Sequence, residues 1–285
     1  MNDFVKKYEV ASDGGDVVVR SLDHFDPDLV FDCGQCFRFA KKEGVWQGVA
    51  RGRLLRLARE GDDLRIFDMD IAELESVWFE YLGLTLDYDA VRASFDAADR
   101  HLFDAADVGQ GIRILGQEPW EALISFIISQ NNNIPRIRSL VERLCARCGR
   151  KFSANGEEFF AFPTPDEMAA LDESNFAEMG MGYRAAYLVD ATRAVREGRL
   201  RLDELYKMPT DRVIDRLKCV KGVGTKVASC VALFGIGKYD AFPIDVWVKR
   251  ILAKYYPDRA NSDFGPYAGI AQQYLFYYER YIENK

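Results

Sequence analysis

Residues 217–245, LKCVKGVGTKVASCVALFGIGKYDAFPID, decide how this chain is read. At their centre, Gly222-Val223-Gly224-Thr225-Lys226 is a tight turn running into an apolar helix, expected over 225–235. Two glycines around one valine permit backbone dihedrals that other residues resist, so the chain can reverse sharply. The turn presents a helix N-terminus, whose unpaired N–H groups point outward and favour an anion such as a nucleic-acid phosphate. Lys226 falls in the first helical turn, where the helix dipole gives a cation no support. That field favours the free amine, the form a nucleophile needs. Asp245 lies 19 residues beyond Lys226, after Pro243 and Ile244, where a second helix, 245–256, is expected to begin. On these residues alone, an ordinary Gly-x-Gly turn with an aspartate N-cap competes with a nucleic-acid hairpin.

Working outward, 285 residues suffice for one or two domains with a sizeable core. With 48% hydrophobic and 29% charged residues the chain reads as soluble and globular. No apolar run approaches the ~18 residues of a membrane span, so no membrane partner is expected. The opening MNDFVKKYEV lacks the apolar stretch of a signal peptide, making an intracellular protein the default: cytoplasm or nucleoid in a bacterium, nucleus in a eukaryote. Oligomeric state leaves no mark, and a monomer is the default. The six cysteines include two C-x-x-C pairs, Cys33/Cys36 and Cys145/Cys148. Four thiolates could in principle hold zinc, but the second pair lies in a helical run and neither has a Gly-rich knuckle, so reduced thiols are expected.

The net charge of −7 argues at first against a nucleic-acid partner, but it is unevenly placed. Residues 1–110 carry 13 basic and 23 acidic side chains, whereas 111–285 carry 25 and 22. A DNA surface needs local rather than average positive charge, so it is expected in the second part.

Short strand-like runs, VVVRS, FRFAKK, VWQGVA, LLRLARE and LRIFD, are separated by the turns DGGD, KEG, RGR and EGDD. They predict an antiparallel meander up to residue 67, followed by a helix over 70–81 and another within 88–98. After Gly111 the periodicity predicts helices over 119–129, 134–148, 165–171, 183–197, 209–218, 225–235, 245–256 and 264–283. The expected fold is therefore α+β: an N-terminal antiparallel-sheet domain, 1–110, and an all-α domain, 111–285.

Several other stretches have ordinary explanations when taken alone. Asp32–Arg38, DCGQCFR, reads as a turn between strands. Gln130-Asn131-Asn132-Asn133 reads as a capping loop. Met181-Gly182-Tyr183-Arg184 opens a helix, and Tyr183 is equally suited to half-buried packing. Cys230 shares a helix face with Lys226, and Gln272 with Phe276, each pair four residues apart. Phe276 sits among Tyr274, Leu275, Tyr277 and Tyr278, as a core aromatic would.

Together these residues resemble a known family over about 33–276. GVGTKVA with an aspartate 19 residues on, in FPID, resembles the helix–hairpin–helix motif of base-excision DNA glycosylases, and the lysine marks the bifunctional members. NNNIPRI, Gly-Gln-x-Phe and Gly-Tyr-Arg narrow the resemblance to 8-oxoguanine DNA glycosylase/AP lyases. The resemblance implies Lys226 as nucleophile and Asp245 as its electrostatic partner. It implies Cys230 and Phe276 sandwiching the damaged base, Gln272 reading its Watson–Crick edge, and the Gly34 carbonyl accepting N7–H, which 8-oxoguanine has and guanine lacks. Facing guanine's N7 lone pair with that carbonyl costs roughly 1–3 kcal/mol when buried. Asn131 would fill the gap left by the extruded base, and Tyr183 would wedge beside the orphan base. Arg136 and Arg184 would read the estranged cytosine, and Val220, Gly222 and Gly224 would grip phosphate. A histidine found two residues after the aspartate in animal members is Trp247 here, which alters that phosphate contact. The implied partner is double-stranded DNA containing 8-oxoguanine. No cofactor is implied beyond a possible structural cation on the hairpin carbonyls. No cysteine follows Cys230, so an iron–sulfur cluster after the aspartate is absent.

Two other readings are a glycosylase for a different base, such as an alkylated purine, and a non-catalytic DNA-binding module. Relatives of the first kind generally lack the lysine. The second has no use for a Lys–Asp pair beside a stacking pocket.

Overall fold

The computed structural model describes residues 8–282. The first seven residues, part of the stretch searched for a signal peptide, and residue 283, the end of the expected 264–283 helix, lie outside them.

The N-terminal part is a six-stranded antiparallel sheet: β1 Val10–Asp13, β2 Asp16–Val19, β3 Phe39–Lys42, β4 Val45–Ala50, β5 Arg53–Glu60 and β6 Asp63–Ile66. Their spatial order is β1-β2-β6-β5-β4-β3. Three hairpins close through two-residue loops with positive φ at both positions: Gly14-Gly15, Glu43-Gly44 and Arg51-Gly52. That geometry matches the right-handed twist of the flanking strands. β1 was not expected. Its outer half is exposed, so the sequence has no apolar alternation there.

A six-residue helix, Pro27–Asp32, was also unforeseen. Asp26 caps it by accepting from the Asp28 N–H, and Pro27 occupies its first turn. The Asp32–Arg38 segment therefore joins a helix to β3, rather than one strand to another. The helix expected over 70–81 begins at Ile71 under an Asp70 cap and passes through a π turn at Leu74–Trp78 to end at Tyr81. Tyr88–Ala93 forms as expected, whereas Arg100–Val108, capped by Asp99, was not anticipated.

The helices Pro119–Ser129, Ile134–Cys148, Ala185–Arg196, Thr210–Leu217, Thr225–Phe234, Val246–Tyr255 and Ala268–Tyr277 follow the periodicity closely. Two departures are the short helices Glu173–Glu178 and Leu202–Leu205. A third corrects the all-α expectation for this part: Lys151–Ala154 and Glu157–Phe160 pair as a hairpin around Asn155-Gly156.

Buried side chains form two clusters. One joins the sheet to the helix around Trp78. The other spans the helices from Tyr88 to Phe276 and also takes in Cys33 and Phe37 from the N-terminal part. Burying those two side chains among the helices draws the turn between them, with Gly34, over to the helical side.

Candidate active site

The hairpin joins helix Thr210–Leu217 to helix Thr225–Phe234. Val220 and Val223 are buried and pin it to the core. Its two glycines serve different ends. Gly222 has φ +79°, and the Tyr187 ring occupies the space a Cβ would need. Gly224 has φ −91° and caps the next helix with open space around it. From behind, Asp190 accepts from the Lys221 N–H at 2.7 Å and from Arg199 at 2.7 Å. The turn is thus held rigidly with the first N–H groups of the following helix facing outward.

Lys226 is half-buried, its Nζ 5.3 Å from the centre of the Phe126 ring. One turn on, Cys230 is buried. Burial pushes its thiol pKa up, the Lys226 charge and a hydrogen bond from Lys226 pull it down, and the Asp245 charge pushes it up. The charges of Lys226 and Asp245 thus act in opposite senses on this one sulfur. Asp245 caps helix Val246–Tyr255, accepting from the Val248 N–H at 2.8 Å. That bond fixes the carboxylate at the start of the helix.

Helix Ala268–Tyr277 supplies Gln272 and Phe276, both buried. The Gln272 Oε1 is buried and has no hydrogen-bond partner among the described residues. Such an acceptor costs roughly 1–3 kcal/mol, which a donor brought by a ligand would recover. Gly34 has φ +84°, and a Cβ there would lie 3.8 Å from both Phe276 Cε1 and Ile134 Cδ1. Gly34, from the N-terminal part, is therefore brought beside Phe276 of the last helix.

Three buried glutamines hold this turn: Gln35 entered the sequence reading only as part of the Gly-Gln-x-Phe motif, with no role, and Gln117 and Gln273 did not enter it. Gln273 Nε2 donates to the Cys33 carbonyl at 2.8 Å, and Gln117 Nε2 to the Gln35 carbonyl at 2.7 Å. Gln35 itself donates to the Val30 and Arg113 carbonyls at 2.9 and 2.8 Å and accepts from the Leu115 N–H at 2.9 Å. A buried amide between apolar neighbours was the available signal, because it must find partners.

The asparagine run divides its labour. Asn133 caps helix Ile134–Cys148, and Asn132 Nδ2 donates to the Ile128 carbonyl at 3.3 Å. Asn131 is exposed in the left-handed region, φ +47°, and its side chain is not used as a cap. Arg136 is exposed, while Tyr183 is 52% exposed and donates to the Gln130 carbonyl at 3.2 Å. Arg184 differs: it is buried, and its guanidinium donates to the carbonyls of Gln130, Asn131 and Met181. In this structure Arg184 braces the loop that carries Asn131, with Tyr183 stacked 4.6 Å over its guanidinium carbon. Trp247 is half-buried under the Arg250 guanidinium, 5.2 Å from its ring, with Lys249 and Arg250 exposed beside it.

All six cysteines are free thiols, and Cys33, Cys36 and Cys145 are buried. No His/Cys/Asp/Glu group able to hold a metal occurs among the described residues, and no described helix is long and apolar enough to cross a membrane.

Comparison with known proteins bears on the same elements. Residues 17–123 match the family described as 8-oxoguanine DNA glycosylase, N-terminal domain, and 124–263 match the HhH-GPD superfamily base excision DNA repair protein family. The chain is 31% identical over 275 residues to the N-glycosylase/DNA lyase OGG1 of Arabidopsis thaliana, covering 87% of this chain and 75% of that one. It superposes with a TM-score of 0.92 and 40% identity on MBOgg1 in complex with a low-affinity DNA ligand, over 97% of this chain and 99% of that one. A Clostridium acetobutylicum 8-oxoguanine glycosylase/lyase, in complex with double-stranded DNA containing cytosine opposite 8-oxoG, gives 0.91 and 37% over 97% and 98%.

Proposed function

The chain belongs to the 8-oxoguanine DNA glycosylase family, and from that premise we propose how its own residues divide the work. It is a bifunctional DNA repair enzyme, an 8-oxoguanine glycosylase that is also a DNA lyase. The observation that carries the residue assignment is that Lys226, in the first turn of the helix after the hairpin, lies one turn before the buried Cys230, while Gly34 is brought beside Phe276 of the last helix.

Extruding a nucleotide from a duplex costs a few kcal/mol. The hairpin at Val220, Gly222 and Gly224 offsets part of it by gripping phosphate with outward N–H groups, and Lys249, Arg250 and Trp247 extend that surface. On the duplex side, Asn131 takes the vacated space and Tyr183 wedges beside the orphan base. Arg136 offers donors to the O2 and N3 acceptors of cytosine, and Arg184 joins it by exchanging its loop carbonyls for the same acceptors.

The extruded base lies between Cys230 and Phe276. Its Watson–Crick edge brings N–H donors to the unpartnered Gln272 Oε1, and its N7–H reaches the Gly34 carbonyl. Lys226 Nζ then attacks C1′. The N-glycosidic bond breaks and its electron pair leaves with the base, while Asp245 stabilises the positive charge developing on the sugar. The amine adduct opens to a protonated imine. Loss of a C2′ proton expels the 3′ phosphate and cuts the strand by β-elimination. Every group in these steps belongs to one chain and no cofactor enters, so a monomer suffices. A cation on the hairpin carbonyls takes part in no step. Residues 1–110 contribute the discriminating carbonyl, and residues 111–285 contribute the grip and the chemistry.

The test is borohydride trapping and excision on duplexes with 8-oxoguanine opposite each of the four bases. The wild type is expected to form a trapped adduct, strongest opposite cytosine. Lys226→Gln should lose both excision and strand cutting while still binding the lesion duplex. Strand cutting retained by that variant would overturn the assignment.

A further inference from the structure

The turn beside Phe276 carries three successive carbonyls, those of Cys33, Gly34 and Gln35. The outer two are each bonded by a buried glutamine from the helical side: Gln273 on Cys33 at 2.8 Å, and Gln117 on Gln35 at 2.7 Å. Among the described residues nothing donates to the middle one, Gly34. Glycine is the residue whose flanking peptides rotate most readily. A flip of the Gly34–Gln35 peptide by paired changes in ψ of Gly34 and φ of Gln35 would drive Gln35, which has no positive φ, toward a region that a side chain resists. Bonds on the two neighbouring carbonyls oppose the other escape, a shift of the segment as a whole. The Gln35 side chain, bonded to Val30, Arg113 and Leu115, holds the far end of the segment as well.

We propose that Gln273 and Gln117 are positioning residues for lesion specificity: they latch the peptides on either side of Gly34 so that its carbonyl stays fixed as the acceptor for N7–H. The inference rests on the role assigned to Gly34 above. Its physical basis is that an acceptor rejects guanine only if it cannot move away. A carbonyl free to shift loses the hydrogen bond to the lesion and relieves the repulsion from the N7 lone pair of guanine, and discrimination falls on both counts. Preorganisation removes that escape. Gln273 adjoins Gln272, so one helix turn both reads the base and fixes the second reader.

The test separates base recognition from the rest of the reaction. Gln273→Met and Gln117→Met each remove one latch while leaving an unbranched side chain of similar length. For each variant, single-turnover excision of 8-oxoguanine opposite cytosine is compared with strand cutting at a preformed abasic site, which contains no base to recognise. Excision slower by about tenfold or more, with abasic cutting at the wild-type rate, is the expected result for either variant. Excision at the wild-type rate in both variants overturns the inference. So does an equal fall in both activities, which would reveal a general packing role. Wild-type protein that cuts abasic sites but never excises 8-oxoguanine would instead remove the Gly34 assignment itself.

Discussion

Gly222→Ala should damage this protein far more than Gly224→Ala, although the two glycines are separated by a single residue. At φ +79°, alanine pays about 1–2 kcal/mol for the left-handed conformation. The new Cβ would also lie under 3.0 Å from three carbons of the Tyr187 ring, and displacing a packed ring costs roughly 1–3 kcal/mol more. The sum is about 2–5 kcal/mol. At 2–4 °C per kcal/mol for a chain of this size class, thermal unfolding falls by roughly 4–20 °C. Tyr187 stacks edge-on against Tyr183 at 5.8 Å, so the displacement carries into the wedge and weakens duplex binding too. Gly224 has φ −91°, and a Cβ there would meet nothing within 4 Å, so alanine costs only the difference between a glycine and an alanine N-cap, roughly 0.5–1 kcal/mol. Calorimetry or denaturant melts of the two variants against wild type provide the assay. Equal stability of the two variants, or a wild-type melting point for Gly222→Ala, would refute the argument.

Asp245→Asn should keep the N-cap to Val248 and near-native stability but lose excision, whereas Asp245→Ala loses excision and about 1 kcal/mol of stability besides. Full activity in the asparagine variant would remove the charge from the mechanism. Burial pushes the Glu121 carboxyl up to about 7, against the pull of Arg38, so the folded state holds this proton more tightly than the unfolded chain does. That stabilisation is complete below about pH 4.5 and is lost as pH rises through 7, a change of up to about 3 kcal/mol. Glu121→Gln should flatten that part of the stability–pH curve, and superimposable curves would count against it. Tyr183→Ala, at an exposed site, should change stability by less than about 1 kcal/mol while weakening binding to lesion duplexes. Arg184→Ala strips the carbonyls of Gln130 and Asn131 of a buried donor and should cost about 2–4 kcal/mol in chemical denaturation.

The long helices were legible because each carries a full amphipathic or apolar period. Pro119–Ser129 begins on a proline and stops at the asparagine run, and Ile134–Cys148 has a proline in its first turn and stops at Gly149. Short elements were not. Pro27–Asp32 and Glu173–Glu178 are too brief to repeat a period, and only start signals mark them, an aspartate cap on each and Pro27 on the first. The hairpin within 151–160 did carry a signal, Asn155-Gly156 between alternating side chains, but it lies among strong helical runs that mask it.

For the site, the hairpin glycines, Lys226 and Asp245 follow from local chemistry, because turn geometry, helix start and N-cap are decided within a few residues. The sequence alone also determined that the chain is α+β, with its excess of negative charge in the first 110 residues. Only the tertiary structure decided which distant groups share the pocket. It sets Gly34 beside Phe276 and leaves the Asn131 side chain unused while its two neighbours cap and brace. It also sinks Arg184 beneath the loop and commits Gln273 and Gln117 to carbonyls that lie far away along the chain. A buried polar group must find a partner, and which partner it finds is settled by how the layers pack rather than by what lies next to it in sequence.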